Sequence, residues 1–168
     1  MIRHADPQRD ALACAAVYAP YVVEGVASLE ESAPDEREMA ARIKRISRTH
    51  SWLVAEVDGA IAGYAYSSPH HVRAAYRWAT DVTVYLDAAH HRRGIGRALY
   101  AALFGLLVGQ GYYVACAGVT LPNVASVALH ESIGFVPVGV YRGVAFKHGQ
   151  WWDVGWWQLQ LREPGAAG

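Results

Sequence analysis

Apolar residues recur at helical spacing in two stretches near the start of the chain. An alanine-rich run over Ala11–Tyr18 follows Asp10, and we expect it to form a helix that stops near Pro20, because proline cannot continue the helical hydrogen bonds. A second helix is predicted over Glu36–Arg48, where one face is apolar and the other is charged. A capping-box pair starts this helix and three residues form its apolar face: Asp35 with Glu38, then Met39, Ile43 and Ile46.

Strand-like patterns follow these helices. Trp52–Val57 and Ile61–Ser67 are separated by Asp58-Gly59, a dipeptide that suits the positive backbone angles of a tight hairpin turn. The run Tyr76–Leu86 is rich in aromatic and β-branched residues, which predicts a third strand. The residues on one face of that strand are Asp81, Thr83 and Tyr85.

The rest of the chain alternates helices and strands. A basic, glycine-containing loop after Asp87 leads into an apolar helical stripe that begins at Gly94 and ends at Gly109 or Gly111. The remaining predicted elements are a strand over Tyr112–Val119, a short helix over Asn123–Ile133 closed by Gly134, and strands over Phe135–Tyr141 and Trp156–Leu161. This interleaving predicts the α/β (α+β) class, with one domain over residues 1–162 and a disordered tail over residues 163–168.

Composition and charge narrow the classes of function. The chain has 168 residues, of which 53% belong to the hydrophobic set, enough for a substantial core. Fifteen basic side chains balance fifteen acidic ones, so broad attraction to nucleic acid or to an anionic membrane is disfavoured. Cys14 and Cys116 lie far apart in apolar runs, which indicates neither a disulfide framework nor a metal knuckle. With no leader or membrane-spanning run visible, we expect a protein of the reducing cytoplasm.

The loop His91–Gly96 is the strongest candidate binding site. It lies between a strand and a helix, where free backbone N–H groups and the helix dipole attract phosphate. Gly94 and Gly96 let the backbone approach oxygen atoms closely, and Arg92 and Arg93 add positive charge. A pyrophosphate-bearing ligand is the expected guest, and the alternative is a glycine turn beside a solvated arginine pair.

Several other chemistries have little support. Leu99 occupies the third glycine position of the dinucleotide fingerprint and no Walker P-loop run occurs, so neither NAD nor ATP is implied. The pairs His70-His71 and His90-His91 diverge on extended backbone without a third ligand at useful spacing, so no metal is expected. The chain has no G-x-S-x-G elbow, which weakens a serine hydrolase.

Four motifs in chain order resemble the GNAT superfamily of N-acetyltransferases. They are Val84-Tyr85-Leu86-Asp87, HHRRGIGRAL from His90, Asn123-Val124-Ala125-Ser126, and LHESIGF from Leu129. Within the superfamily, three further runs are similar to the phosphinothricin and methionine sulfoximine N-acetyltransferases: WLVAEVDG from Trp52, RAAYRW from Arg73 and FKHGQWWDVGWWQL from Phe146. The resemblance spans about the whole chain and implies the GNAT acyl-CoA N-acyltransferase fold, a mixed central sheet flanked by helices.

The resemblance also implies acetyl-CoA as the co-substrate. Its pyrophosphate would rest on the backbone of residues 91–96, and its pantetheine arm would lie along the strand, with Asn123 on the other side. The implied cofactor-binding residues are Thr83, Val84, Tyr85, His91, Arg92, Arg93, Gly94, Ile95, Gly96 and Asn123. His91 stands where the family usually has Gln or Arg, but a cradle of backbone N–H groups does not depend on that side chain.

Acetyl transfer to an amine needs a base, because an ammonium group has no lone pair with which to attack a thioester. Asp81 is the expected base; it stands where the phosphinothricin group usually has Glu, and a water could bridge the missing methylene. The resemblance implies that His130 protonates the departing CoA thiolate, and backbone N–H groups near Val84 would stabilise the oxyanion. The alternative is a structural role for each: a salt-bridged Asp81 and a half-buried His130.

The expected acceptor pocket centres on Arg73, which matches an anion-anchoring arginine of the family. The predicted substrate-binding residues are His71, Arg73, Tyr76, Thr80 and Val82, a set suited to a small acid that carries an amine. The segment Glu24–Glu30 lacks the family's threonine-rich stretch, and Leu29 replaces a pocket aromatic, which we expect to change specificity.

The expected function is direct transfer of acetyl from acetyl-CoA to the primary amine of a small amino acid analogue. The resemblance implies a homodimer in which the partner's residues 147–153 face the pocket, and most of the tryptophans at 151, 152, 156 and 157 are expected in the core. Two alternatives stay open: another acceptor, such as a polyamine, an aminoglycoside or a protein N-terminus, and a non-catalytic acyl-CoA sensor. No nucleic-acid or membrane partner is expected.

Overall fold

The computed structural model describes residues 1–163, which form a seven-stranded sheet and four α-helices. The strands are β1 (Ile2–His4), β2 (Trp52–Val57), β3 (Ala60–Pro69), β4 (Ala79–Leu86), β5 (Val114–Leu121), β6 (Val136–Lys147) and β7 (Gln150–Gln160). The helices are α1 (Ala11–Val23), α2 (Glu36–Ile46), α3 (Ile95–Gly109) and α4 (Val124–Ser132). Residues 164–168 of the predicted tail lie outside the described residues. No helix within residues 1–163 has the length and apolar character needed to cross a bilayer.

The sheet is mixed, in the order β1-β2-β3-β4-β5-β7-β6. Neighbouring strands are antiparallel except for β4 and β5, which run parallel. Their pairing covers only the register from Ala79 with Val114 to Asp81 with Cys116. Beyond Asp81 the two strands separate, so the middle of the sheet opens.

Helices cover both faces of the sheet. On β2, Leu53 and Ala55 point into a core shared with α3, whereas Trp52 and Val54 point into a core shared with α1 and α2. This alternation is the period-two pattern of a strand buried on both faces. Side chains of α4 pack against the α3 core, so α3 and α4 lie together beside the opening.

The local sequence signals for the hairpin and for α2 are confirmed. Asp58 and Gly59 adopt φ angles of 50° and 80°, as a tight turn between β2 and β3 requires. The Asp35 carboxylate accepts a hydrogen bond of 2.8 Å from the backbone N–H of Glu38, which is the predicted cap of α2. α2 ends at Ile46, two residues before the predicted end at Arg48.

Two predicted boundaries on the N-terminal side are wrong. α1 does not stop near Pro20 but continues to Val23, because Val22 is completely buried in the α1/α2 core and favours another helical turn. The strand predicted from Tyr76 begins at Ala79, since Ala74–Tyr76 form a 3₁₀ turn. The aromatic run therefore contains a turn and a strand.

The C-terminal strands are much longer than predicted. β6 and β7 form one hairpin whose turn is His148-Gly149, with φ angles of 50° and 77°. Long strands also alter the predicted burial of the tryptophans: Trp157 is buried, Trp152 and Trp156 are half-buried, and Trp151 is exposed. The expectation that most of them lie in the core is therefore wrong.

Candidate active site

The separation of β4 and β5 creates a cleft of about 820 Å³. Val82–Leu86 of β4 form one wall, Gly118 and Val119 of β5 contribute to another, and α3 and α4 close the sides. Because β4 has no strand partner on its β5 side beyond Asp81, backbone N–H and C=O groups on that edge can bind a ligand instead. A cleft of this size is typical of a small-molecule site.

One end of the cleft is the N-terminus of α3. Gly94 caps this helix in the left-handed region, at φ 78°, and provides no side chain to bond the first-turn N–H groups. A β-carbon at Gly96 would lie 3.3 Å from Leu129 of α4 and 3.4 Å from Leu86 of β4, so glycine allows the three elements to approach closely. Exposed N–H groups together with the positive end of the helix dipole make this an anion site.

The structure places most of the predicted cofactor residues around this cleft. Thr83, Val84, Tyr85, His91, Arg92, Gly94, Ile95, Gly96 and Asn123 line it, whereas Arg93 does not. Asn123 caps α4 by accepting a 3.0 Å bond from the N–H of Ser126 through its side-chain oxygen, which leaves its amide N–H groups as donors. The His91 ring lies 3.0 Å from the hydroxyl of Tyr21, and that hydroxyl donates to the carbonyl of Leu86 at 2.5 Å. These bonds fix the His91–Gly96 loop to the end of β4.

His130 is buried in the wall of the cleft with both ring nitrogens bonded. Its Nδ1 donates to the carbonyl of Ser126 at 2.7 Å, since a carbonyl can only accept, and its Nε2 accepts from the hydroxyl of Tyr100 at 3.0 Å. Burial lowers the pKa of His130, although the bond to the Ser126 carbonyl opposes that shift. Burial likewise raises the pKa of Tyr100, so both members of this pair are neutral near neutral pH.

Asp81 lies where the pairing of β4 with β5 ends, and it bonds a histidine. Nδ1 of His70, which directly follows β3, is 2.6 Å from Asp81 Oδ1. Burial raises the pKa of the Asp81 carboxyl, and the hydrogen bond from His70 opposes the rise. A carboxylate can only accept, so the proton between the two groups sits on Nδ1, and in the neutral imidazole the lone pair is on Nε2.

The predicted acceptor residues fall into two groups. His71, Arg73 and Tyr76 lie on the exposed segment before β4, where the rings of His71 and Tyr76 stack with centroids 4.8 Å apart. Thr80 is fully buried, and its hydroxyl donates to the carbonyl of Ser68 at 2.8 Å, so it is not brought into the cleft. Val82 lines the cleft.

The segment Glu24–Glu30 is held in place by a buried lysine from β6. Nζ of Lys147 donates to the carbonyls of Val22, Gly25 and Ser28 at 2.6, 2.9 and 2.7 Å. At its end, Glu30 forms a two-point ion pair with Arg42 of α2, at 2.6 and 2.9 Å. The segment reaches the cleft through Ala27. Lys147 therefore shapes the cleft from within its own chain.

Within residues 1–163, one group of potential metal ligands comes together around Asp81. Ligand atoms of His70, Asp81 and Cys116 all lie within 4.8 Å of one another. Burial, followed by the charge of Asp81, raises the pKa of the Cys116 thiol to about 11, so the thiol is protonated at neutral pH and is a poor ligand. The expectation that the protein binds no metal stays a prediction.

Three residues of the site escape the sequence patterns. In the sequence His70 is only half of an adjacent histidine pair, Tyr100 belongs to no predicted site, and Tyr21 lies beyond the predicted stop of α1. The pair His70-His71 next to a predicted catalytic strand was the available signal. That signal does not contain the register of β3 and β4, which sets Ser68 opposite Asp81 and so brings His70, two residues later, close to Asp81.

Comparison with known proteins gives matches across the chain. The sequence model of the acetyltransferase (GNAT) domain family matches residues 2–156. A phosphinothricin N-acetyltransferase of Streptomyces viridochromogenes is 42% identical over 122 residues, which cover 73% of this chain and 67% of that protein. An L-methionine sulfoximine/L-methionine sulfone acetyltransferase of Salmonella typhimurium is 35% identical over 114 residues, which cover 68% of this chain and 67% of that protein.

A solved structure has the same fold. It is a GNAT superfamily phosphinothricin acetyltransferase from Sinorhizobium meliloti in complex with AcCoA, with a TM-score of 0.93 and 34% sequence identity. The match covers 100% of this chain and 91% of that one. The likeness therefore includes the opened sheet and the helices that form the cleft.

Proposed function

The chain belongs to the acetyltransferase (GNAT) family and is an N-acetyltransferase, and we propose that it moves the acetyl group of acetyl-CoA to the primary amine of a small amino acid analogue. Phosphinothricin and methionine sulfoximine are the acceptors named for the relatives, and they define the proposed acceptor class. The observation that carries the proposal is the cleft between β4 and β5, which ends at an uncapped helix N-terminus.

The residues around the cleft fit acetyl-CoA. The N–H groups at the start of α3, from Gly94 to Gly96, would hold the pyrophosphate, with Arg92 and Arg93 beside them. The unpaired edge of β4 over Thr83–Tyr85 would bond the amides of the pantetheine arm as a neighbouring strand does, and Asn123 would donate from the other side. The bound thioester would thus lie near Asp81, where the two strands begin to separate.

The proposed chemistry uses groups at both ends of that strand separation. The Asp81 side supplies the base that removes a proton from the acceptor ammonium, and backbone N–H groups near Val84 would stabilise the oxyanion that forms on the thioester carbonyl oxygen. His130 is the proposed proton donor to the departing thiolate. Because it is neutral and carries one ring proton, it would act as a relay: it exchanges one of its partners, Ser126 or Tyr100, for the sulfur and takes up a proton at one nitrogen as it gives one from the other.

The acceptor would bind above Asp81, on the segment before β4. Arg73 is an exposed cation suited to a carboxylate or phosphinate, and the stacked rings of His71 and Tyr76 provide a flat polar surface beside it. A positive residue in this place disfavours cationic acceptors such as polyamines.

We further propose that the protein is a homodimer joined through β6 and β7. β6 is an edge strand, and large apolar side chains on this hairpin are exposed: Val136, Val138, Val140, Tyr141, Val144, Phe146 and Trp151. A long apolar edge strand invites aggregation unless another chain covers it, and a second copy supplies a surface of the same character. The cytoplasm remains the proposed compartment, in keeping with the free cysteines Cys14 and Cys116.

The decisive experiment measures thiol release from acetyl-CoA across a panel of amines. The panel contains phosphinothricin, methionine sulfoximine, common amino acids, a polyamine, an aminoglycoside and a short peptide. Saturable release with phosphinothricin or methionine sulfoximine supports the proposal. Preference for another amine would replace the proposed acceptor class but would retain acetyl transfer from acetyl-CoA. Acetyl-CoA binding without release from any amine would favour the sensor alternative and overturn the proposed activity.

A further inference from the structure

The strongest unassigned feature is the bond between His70 and Asp81. His70 lies immediately after β3, outside every motif discussed above, and its Nδ1 is 2.6 Å from Asp81 Oδ1. The two side chains retain 29% and 26% of their exposure, so the pair is half-buried but open to solvent. The ring of Trp156 packs edge-on against the His70 ring, with the ring centroids 5.9 Å apart, and the centroid of the Tyr76 ring lies 6.0 Å from that of His70. The imidazole therefore has an aromatic neighbour from β7 and another from the 3₁₀ turn.

The hydrogen bond determines which nitrogen is free. Asp81 accepts from Nδ1, so the neutral ring carries its lone pair on Nε2, which bonds no other group in residues 1–163. One oxygen of the carboxylate, Oδ1, is thus engaged by His70. In the neutral ring, a basic lone pair therefore lies on the edge of the imidazole away from the carboxylate.

We propose that His70 is the catalytic base of this protein and that Asp81 is its positioning residue. The proposal deepens the proposed function and rests on it, because it names the group that prepares the acceptor for acetyl transfer. Asp81 holds the ring in one orientation, fixes the Nδ1–H tautomer and stabilises the imidazolium that forms. This arrangement needs no bridging water to make up for the short aspartate side chain.

Protons and bonds balance through this pair. His70 Nε2 takes one proton from the acceptor ammonium, which becomes a neutral amine, and the resulting imidazolium lies against the Asp81 carboxylate. The amine lone pair forms the C–N bond with the thioester carbon, and the C–S bond breaks as the thiolate leaves. The nitrogen loses its second surplus proton as the amide forms, and that proton reaches the thiolate through His130. His70 returns the first proton to solvent.

Of the groups that face the His70 imidazole, one carries a full charge. Asp81 comes from β4, Cys116 from β5 and Tyr76 from the 3₁₀ turn, while β7 contributes the uncharged Trp156. The Cys116 thiol is neutral because its pKa is raised to about 11. The Asp81 carboxylate is thus the charge that would lie against the imidazolium once His70 has taken the proton.

The test replaces His70 with residues that keep or lose its bond to Asp81. In His70→Asn the side-chain amide can occupy the place of Nδ1 and still donate to Asp81, but it has no basic nitrogen; His70→Gln is the second variant if the first fails to fold. Turnover is measured with saturating acetyl-CoA from about pH 6 to pH 10, using phosphinothricin, or methionine sulfoximine if the panel favours it. Calorimetric binding of acetyl-CoA reports on folding, and His4→Asn on the exposed end of β1 is the matched control.

We expect His70→Asn to lower kcat at neutral pH by roughly a hundredfold while the Kd for acetyl-CoA stays unchanged. The lost turnover should return as the pH approaches the pKa of the acceptor amine, because solvent then supplies the free amine.

A kcat within threefold of the unsubstituted protein with the same pH profile would overturn the proposal and leave Asp81 as the direct base. Loss of activity on treatment with a chelator would also overturn it, because His70 would then be a metal ligand. A protein that releases no thiol with any amine fails at the proposed function instead, so the two failures are distinguishable.

Discussion

At the scale of single residues, we expect the protonation state of Asp81 to determine the pH range over which the protein is active. Burial raises the pKa of this carboxyl, and the hydrogen bond from His70 partly offsets the rise. Whether the carboxylate accepts the proton itself or supports His70, it acts only in its ionised form. Turnover must therefore fall as the pH decreases through the raised pKa of Asp81, and it must be restored as the pH rises again.

Asp81→Asn removes that charge while it preserves the size of the side chain. We expect kcat to fall by roughly a hundredfold or more, because an amide neither accepts a proton nor stabilises a positive imidazole. Acetyl-CoA affinity should hardly change, since Asp81 is not among the residues that line the cleft. Steady-state kinetics and calorimetric titration measure the two quantities, with Asp58→Asn in the exposed turn between β2 and β3 as the control. Unchanged turnover in Asp81→Asn would remove this residue from the mechanism.

Residues of the site differ in how far the sequence could reveal them. The phosphate loop is contiguous, so its glycines, basic charge and position between a strand and a helix are all visible in one stretch. The bond between His70 and Asp81 joins positions 11 residues apart, one just after β3 and the other on β4, and a shift of one residue in strand register would move one partner to the other face. Sequence patterns draw attention to both residues but not to their register, and nothing in the pattern of the predicted helix marks Tyr100 as a partner of His130.

At the scale of elements, the start of α3 depends on one backbone conformation. Gly94 adopts φ 78°, with open space around the position of a β-carbon, so substitution there causes backbone strain and no steric overlap. Gly105 lies on the exposed face of the same helix, also in open space, but with ordinary helical geometry. The two glycines form a matched pair in which only the backbone conformation differs.

Alanine at these two positions should have opposite effects. Gly94→Ala is expected to destabilise the fold by about 1–2 kcal/mol and to weaken acetyl-CoA binding about tenfold, because the loop must leave the left-handed region. Gly105→Ala should stabilise the protein by about 0.5–1 kcal/mol, since alanine loses less backbone entropy in a helix, and should leave binding unchanged. Thermal unfolding and calorimetric titration of both variants provide the comparison. Equal binding by the two variants would show that the loop backbone does not hold the pyrophosphate.

The junction of β1, α1 and β2 depends on a buried carboxylate. Asp10 is almost fully buried, and both of its oxygens accept hydrogen bonds from the guanidinium of Arg3, at 2.7 and 2.8 Å. Arg3 also bonds Glu56 of β2 at 3.1 Å. Burial alone would raise the pKa of Asp10, but the bonds from Arg3 and from the backbone of Asp6 outweigh it and hold the pKa below its usual value.

Asp10→Asn should therefore cost stability in a pH-dependent way. We expect a loss of about 3 kcal/mol near neutral pH, because the variant leaves the Arg3 guanidinium without its carboxylate. A lowered folded-state pKa means that the ionised form stabilises the fold above the unfolded pKa of about 3.9, and that this stabilisation disappears as the pH falls through the folded value. Urea unfolding at pH 7 and below pH 4 measures the free energy of unfolding of Asp10→Asn and of the unsubstituted protein. The difference between the two should become smaller in acid. A difference in the free energy of unfolding that is equally large at pH 7 and in acid would contradict this account.

Element boundaries were predictable where a local signal was strong and isolated. The Asp58-Gly59 turn and the Asp35 cap are local, and both were correctly predicted. Pro20 was expected to end α1, but burial of Val22 outweighs the single helical hydrogen bond that proline removes. The long β6–β7 hairpin was missed because His148 occupies the first turn position in place of the Asn or Asp that marks such turns.

At the scale of the whole molecule, the β6–β7 hairpin links three parts of the proposed enzyme. Its strand β7 pairs with β5 at the back of the cleft, and Lys147 at its tip holds the Glu24–Glu30 segment through three backbone carbonyls. Its outer strand β6 is the exposed apolar edge of the sheet. If a second copy covers β6, it would also limit the motion of the Glu24–Glu30 segment, because Lys147 joins that segment to the hairpin.

A charge placed on this edge tests the dimer and its link to activity. Val138 is 62% exposed on β6, and Val138→Lys would set a buried charge against the partner, so we expect a monomer in sedimentation velocity where the unsubstituted protein is a dimer. Leu12 on α1 is equally exposed, at 62%, and Leu12→Lys should leave the dimer intact. If the hairpin positions the acceptor segment as argued, the Val138→Lys monomer should keep its Kd for acetyl-CoA and show a raised KM for the amine. A monomeric unsubstituted protein, or a Val138→Lys variant that still dimerises, would show that β6 is not the interface.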